Sequence, residues 1–247
     1  NLKDSKGVQL DPNGDLVLGA VQANFHYMWI ANTYDIKGSS ACKSNSSDPG
    51  CRGTISKVNT KTKKEVARYF TITCNSNPGT SGCKDVNGKT IDRVHNHTPS
   101  RTAVDFNLDV WVANRNVHGG QPSATKIAND LLDCVDRNKN GKIDTSRDHN
   151  GDGKITVDCN GDGKPDGAKT SCPGGKPPEF LGDDDECVLF TTNYAGKDDI
   201  GRSMCLDAGK STVGASNAWV GTFNREDQGK GRNRFYKING YTGKIEK

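Results

Sequence analysis

Between Cys134 and Cys187 three acidic phrases run head to tail: Asp136-x-Asn138-x-Asn140-Gly141-x-x-Asp144, Asp148-x-Asn150-x-Asp152-Gly153 and Asp158-x-Asn160-x-Asp162-Gly163-x-x-Asp166. Oxygen-bearing side chains recur at every second residue and lead into a glycine that permits a sharp bend. A hard cation with about six to eight oxygen ligands asks for that pattern. From Asp136 to Glu186 the apolar side chains are Ile143, Ile155, Val157, Ala168, Phe180 and Leu181, apart from two cysteines. So little apolar surface cannot offset, by burial alone, the entropy of ordering the segment. Two or more bound Ca²⁺ ions are expected to stand in for the missing core.

The residues expected to hold those ions are Asp136, Asn138, Asn140, Lys142 and Asp144 in the first loop, Asp148, Asn150, Asp152 and Lys154 in the second, and Asp158, Asn160, Asp162, Lys164 and Asp166 in the third. The lysines stand where such loops offer a main-chain carbonyl. Asp148 can end the first site and begin the second, and Asp158 the second and third. Carboxylates this dense repel one another unless cations lie between them. Asn140 and Thr156 replace acids, and no glutamate supplies the bidentate last ligand of an EF-hand, so irregular sites are expected. Their role reads as constitutive and structural, because no helix pair flanks the loops for an ion to open. The bland alternative is an Asx-rich loop that binds nothing.

The 247 residues allow one large all-β domain or two smaller ones. With 29 glycines and a hydrophobic fraction of 32%, the chain suits many short strands and polar loops better than a helix bundle. Its 34 basic and 30 acidic residues are interspersed, with no block of five like charges, so nucleic acid and membrane insertion have no electrostatic support. The acidic run Asp183–Glu186 reads as a solvated or ion-facing turn. Nine cysteines without C-x-x-C spacing argue against zinc ribbons and thioredoxin-like chemistry and for disulfides, hence an oxidising compartment. The expected pairs are Cys42–Cys51, Cys74–Cys83, Cys134–Cys187 and Cys159–Cys172. Cys205 is left over and expected as a buried thiol. Beginning at Asn1 without a leader or an apolar span, the chain reads as a processed, secreted form.

Outside the acidic segment a pattern repeats. Short strands are expected at Asp15–Gly19, Phe25–Asn32, Gly53–Thr60 and Glu65–Thr73, then at Pro99–Asp105, Asp109–Asn114 and Ser123–Ile127. They return at Arg202–Asp207, Ala218–Thr222, Phe235–Asn239 and Thr242–Ile245. Trp29, Trp111 and Trp219 hold the same place in the repeat, one aromatic anchor per unit, as in propeller blades. The phrases P-S-R-T-A-V-D…D-V-W-V-A-N, T-I-S-K-V-N-T-K-T-K-K-E-V-A-R-Y and Y-K-I-N-G-Y-T-G-K-I resemble the streptogramin-lyase-like (virginiamycin B lyase-like) propellers and the related YVTN/NHL repeats. The acidic segment separately resembles thrombospondin type-three and dockerin calcium loops. The resemblance implies an all-β, propeller-type fold of four-stranded antiparallel blades, incomplete in this chain, at 1–133 and 188–247. A disulfide-stapled calcium-binding insertion at 134–187 interrupts it.

Three repeats are too few to close such a propeller, so either more chain exists, or further blades are too degenerate to recognise, or open edges pair with neighbouring molecules. The expected function is a secreted, non-enzymatic, calcium- and disulfide-stabilised structural or binding module. It would sit at a cell surface or in an extracellular assembly, filaments included, and associate with itself or with another extracellular protein. The alternative is a propeller enzyme of lyase or hydrolase type with its site in the central channel. His95, His97 and His118 are the candidates for its base, although polar loop histidines are the simpler reading and no motif of the lyase's catalytic cluster is found. Arg101 and Arg115 could line a channel or be salt-bridged in loops. A carbohydrate-binding adhesin fits calcium and secretion but lacks an aromatic stripe. Asn45-Ser46-Ser47 and Asn96-His97-Thr98 match the glycosylation acceptor pattern.

Overall fold

A computed structural model describes residues 8–10, 12–13, 16–18, 26–33, 52–74, 83–91, 97–116, 121–196, 199–208, 216–224 and 233–246. Among them are twelve strands and only three single-turn 3-10 segments, so the chain is all-β. A two-stranded hairpin joins β1 (Val8–Leu10) to β2 (Leu16–Leu18). Three antiparallel sheets follow. The first is β3 (Tyr27–Asn32), β4 (Thr54–Asn59) and β5 (Lys64–Phe70). The second is β6 (His97–Val104), β7 (Val110–Asn116), β8 (Ser123–Ile127) and β9 (Val188–Asn193). The third is β10 (Asp199–Leu206), β11 (Ala218–Asn224) and β12 (Arg234–Ile238). One sheet therefore has the expected four strands and two have three, and no closed propeller is formed by the described residues. Thr242–Ile245, expected as a strand, contributes a single bridge, Ile238 to Ile245.

The repeat seen in the tryptophans is a repeat of register. Trp29 lies opposite Lys57, Trp111 opposite Lys126 and Trp219 opposite Lys237. The lysine amines lie 5.4, 5.9 and 5.8 Å from the indole rings. Period-two alternation then lets the sheets stack. On β7, Val110 and Val112 point to the first sheet, where they pack with Ile55, Ala67 and Tyr69. Trp111, between them in sequence, points the other way and packs with Phe190, Ala218, Val220 and Ile238. Strands β7, β8 and β9 of the middle sheet are thus covered on both faces, while its edge strand β6 keeps exposed side chains. Lys126 is buried between the carboxylates of Asp105 and Asp109, at 3.0 and 3.2 Å. Burial nevertheless lifts the Asp109 carboxyl to about 6, against the pull of Lys126.

Three of the expected disulfides are formed, Cys74–Cys83, Cys134–Cys187 and Cys159–Cys172. Cys42 and Cys51 lie outside the described residues. Cys205 is a free thiol but an exposed one, which corrects the expectation of burial. It sits opposite Trp219, and Leu206 and Met204 on either side of it take the inward positions in the core. Strand alternation turns it out.

Candidate metal centre

The acidic segment leaves the second sheet after β8 and returns at β9, with Cys134–Cys187 tying its base. It lies against the first sheet, along the open edge of β5. The Glu65 amide donates to the Gly153 carbonyl (3.0 Å), and the Asp148 amide donates to the Val66 carbonyl (3.2 Å). Lys64 also donates to the Gly151 carbonyl. The Ile155 amide donates to the Glu65 carboxylate at 3.0 Å, and the Ile155 side chain is buried with Phe70 and Phe180. Those three side chains form the small apolar core of the insertion, shared with the strand it covers. Arg52 extends the same seam, stacked on Phe70 and paired with Asp183 at 2.7 Å.

The three phrases fold alike. In each, the first aspartate turns back and accepts main-chain N–H groups of its own loop. Asp136 accepts from Asn140 and Gly141 (3.2 and 2.9 Å), and Asp148 accepts from Gly151 and Gly153 (2.7 and 2.8 Å). Asp158 accepts from Gly161, Asp162 and Gly163 at 2.8, 3.1 and 2.8 Å. The sixth residue of each loop is a glycine in the left-handed region, with φ of 77°, 86° and 76° at Gly141, Gly153 and Gly163. A side chain there would be strained, hence glycine. The third-position asparagines accept from the fifth residue in the first and second loops at 2.9 and 2.7 Å, and Asn160 does so in the third at 3.1 Å. Asn138 and Asn140 both donate to Asp144, at 2.7 and 2.8 Å. Each loop is a tight coil whose first, third and fifth side chains all bond to its own main chain.

Two glutamates from outside the phrases complete the first and second loops; sequence reading missed Glu179 and placed Glu186 only in a solvated or ion-facing turn. Glu186 (2% exposed) accepts from the Arg137 and Asn138 amides at 2.7 and 3.1 Å with one oxygen, and from the Asp144 amide at 2.9 Å with the other. Glu179 (6% exposed) repeats the arrangement, taking the Asn150 amide at 3.3 Å and the Thr156 amide at 3.0 Å. In the third loop Asp166 takes the Cys159 amide at 2.9 Å. The run Asp183–Glu186 is accordingly not a solvated turn throughout. Asp185 and Glu186 are buried, and Asp185 accepts from the Thr145 hydroxyl and the Ser146 and Cys187 amides. Burial raises the Asp185 carboxyl above its ordinary range even against those bonds.

Asp166 is the carboxylate of the segment that is left incompletely satisfied. It is 4% exposed, and its Oδ1 is buried without a hydrogen-bond partner. Burial pushes its carboxyl up to about 6, and the charges of Asp158 and Asp162 add to the effect. Its neighbours Cys159 and Cys172 come close enough to suggest a sulfur-ligated ion, but they form a disulfide and so offer no thiolate. Oxygen atoms, and not sulfur, are therefore what these side chains could offer an ion.

The enzyme candidates fare differently. His95 and His118, and the side chain of His97, lie outside the described residues, as do Asn45 and Asn96 of the acceptor patterns. Arg101 and Arg115 lie on β6 and β7 and not in loops, and among the described residues neither pairs with a carboxylate. Burial, Arg202 and Arg101 all depress Arg115. A cavity of about 570 Å³ opens where the sheets meet, lined by Tyr27, Trp29, Val104, Phe106 and Leu206 with Asp105 and Asp207. Asp105 is paired to Lys126, and Asp207 accepts the Trp219 indole N–H at 2.8 Å. Compared with known protein families, curated proteins and solved structures, the chain matches none.

Proposed function

We propose that the chain is a secreted, non-enzymatic module whose acidic insertion binds two or more Ca²⁺ ions as permanent parts of its structure. Such a module would serve at a cell surface or in an extracellular assembly. One observation carries the reading. Three consecutive loops share one coil in which the side-chain oxygens at positions one, three and five each accept a main-chain N–H of the loop, and in the third a buried Asp166 oxygen has no partner. An oxygen-seeking cation beside those groups would offset their mutual repulsion and complete the coordination that Asp166 lacks. The ligands would be the aspartates and asparagines of the three phrases, together with the carbonyls of Lys142, Lys154 and Lys164.

The disulfides support an oxidising, extracellular setting. No helix among the described residues is long and apolar enough to cross a membrane. The cavity supports a structural or binding role over catalysis, because its lining is largely apolar and both its carboxylates are engaged. Thermal unfolding with calcium and with EGTA, alongside calorimetric titration of the chelated protein, tests the reading. Binding of at least two ions and a higher melting temperature in calcium are expected, with about 2.7 kcal/mol of stabilisation per site at a hundredfold excess over Kd. Absence of binding at millimolar calcium overturns it.

A further inference from the structure

Both internal junctions of the stack are built from the same two half-surfaces. One half is centred on the tryptophan: Trp29 with Ile55 in the first sheet, and Trp111 with Ala124 in the second. The other half is aliphatic and comes from the next sheet: Val110, Val112 and Ile127 in the second, Ala218, Val220 and Ile238 in the third. Register makes these positions equivalent from sheet to sheet, because each is counted from its Trp–Lys pair. The third sheet carries a tryptophan half of its own, Trp219 with Phe235, and they are 37% and 69% exposed. At the other end, the first sheet carries an aliphatic half at Met28, Ile30 and Val58. Met28 and Ile30 are 50% and 40% exposed, and Val58 is half-buried.

Among the described residues the three stacked sheets thus leave one half of the repeating junction exposed at each side. We propose that these faces dock on each other between copies of this chain, the Trp219–Phe235 face of one molecule receiving the Met28–Ile30 face of the next. The charges near both faces come in pairs that such a contact can tolerate, Lys237 with Glu246 at 3.1 Å and Arg68 with Glu65 at 2.7 Å. A junction between two different faces is heterologous, so it propagates into a ring or a filament. The inference rests on the reading of the chain as an assembly module and specifies how that module assembles.

Sedimentation velocity in saturating calcium with the disulfides intact, over a concentration series, tests it with Phe235→Glu and Ile30→Glu. The wild-type chain is expected to grow in mass with concentration, and each variant alone to remain a monomer. An equimolar mixture of the two should form dimers and nothing larger, because each variant keeps the face the other has lost. Growth unaffected by either substitution, or no rescue on mixing, overturns the proposal. So does a wild-type monomer at every concentration. Alkylation of Cys205 gives a readout that needs no variant, since the thiol lies on the Trp219 face. Its rate should fall several-fold from dilute to concentrated protein, and a constant rate overturns the docking. If the assembly fails while calcium still raises the melting temperature, the calcium-held module stands and only the stacking is lost.

Discussion

Glu186 shows how much one residue can decide. Its carboxylate takes three main-chain N–H groups of the first loop from a buried position. Glu186→Gln replaces one acceptor oxygen by a donor that faces an amide, and should cost about 2 kcal/mol in urea unfolding, with weaker calcium binding by calorimetry. Lys57 sets a pH dependence. It is buried against Tyr27 and Trp29 and donates to the Asn129 carbonyl at 2.7 Å. Burial lowers its amine from 10.5 to about 8, although Asp130 and Asp109 oppose the shift. Between these values the unfolded chain holds a proton that the folded chain has shed, so stability rises with pH there. The cost of the buried ammonium is fully present below about pH 8 and fades as pH rises. Lys57→Met should be more stable than wild type at pH 7, on the order of 1 kcal/mol, and the difference should vanish near pH 10. Paired melts across that range check it. At this scale the aspartates and asparagines were legible because their two-residue spacing is local. Glu179 and Glu186 were not, since they reach loops some thirty to fifty residues earlier.

Turns and edges govern the scale of the element. The β4–β5 turn and the turn after β12 are the same structure. Asn59 accepts from Lys61 and Thr62, and Asn239 from Tyr241 and Thr242. Lys63 and Gly243 both take positive φ, 59° and 67°. The echo K-V-N-T-K-T-K against K-I-N-G-Y-T-G-K was readable for that reason. What no local pattern announced is that the insertion covers β5, a strand from a different sheet, and so hides an edge that would otherwise invite pairing. Hydrogen exchange at the Glu65 and Asp148 amides reports that seam. Both should be protected in calcium and exchange at least tenfold faster in EGTA, while amides between β7 and β8 keep their protection. Ile155→Ala should loosen the same seam, at a cost of about 2–4 kcal/mol from the small core it shares with Phe70 and Phe180.

At the scale of the whole molecule, the insertion belongs by sequence to the second sheet and by contact to the first. It therefore holds two layers of the stack together, and Cys134–Cys187 holds it to its root. Replacing both cysteines by serine opens a loop of 53 residues and should cost up to about 4 kcal/mol, measured by denaturant unfolding. The order of the sheets was legible in the tryptophan repeat, but not the fact that β7, β8 and β9 of the middle sheet are covered on both faces. That depends on which neighbour each alternate side chain meets.

One arrangement also dictates a sequence of events in time. β8 and β9 lie side by side, yet 60 residues separate Ile127 from Val188, where an ordinary hairpin uses only a few. Closing so long a detour is slow and entropically costly until something shortens it. The Cys134–Cys187 bond does that, holding β9 within reach of the free edge of β8. Oxidation of that pair is therefore expected to set when β8 and β9 close, the central layer completing late in a reducing medium and early once its base is tied.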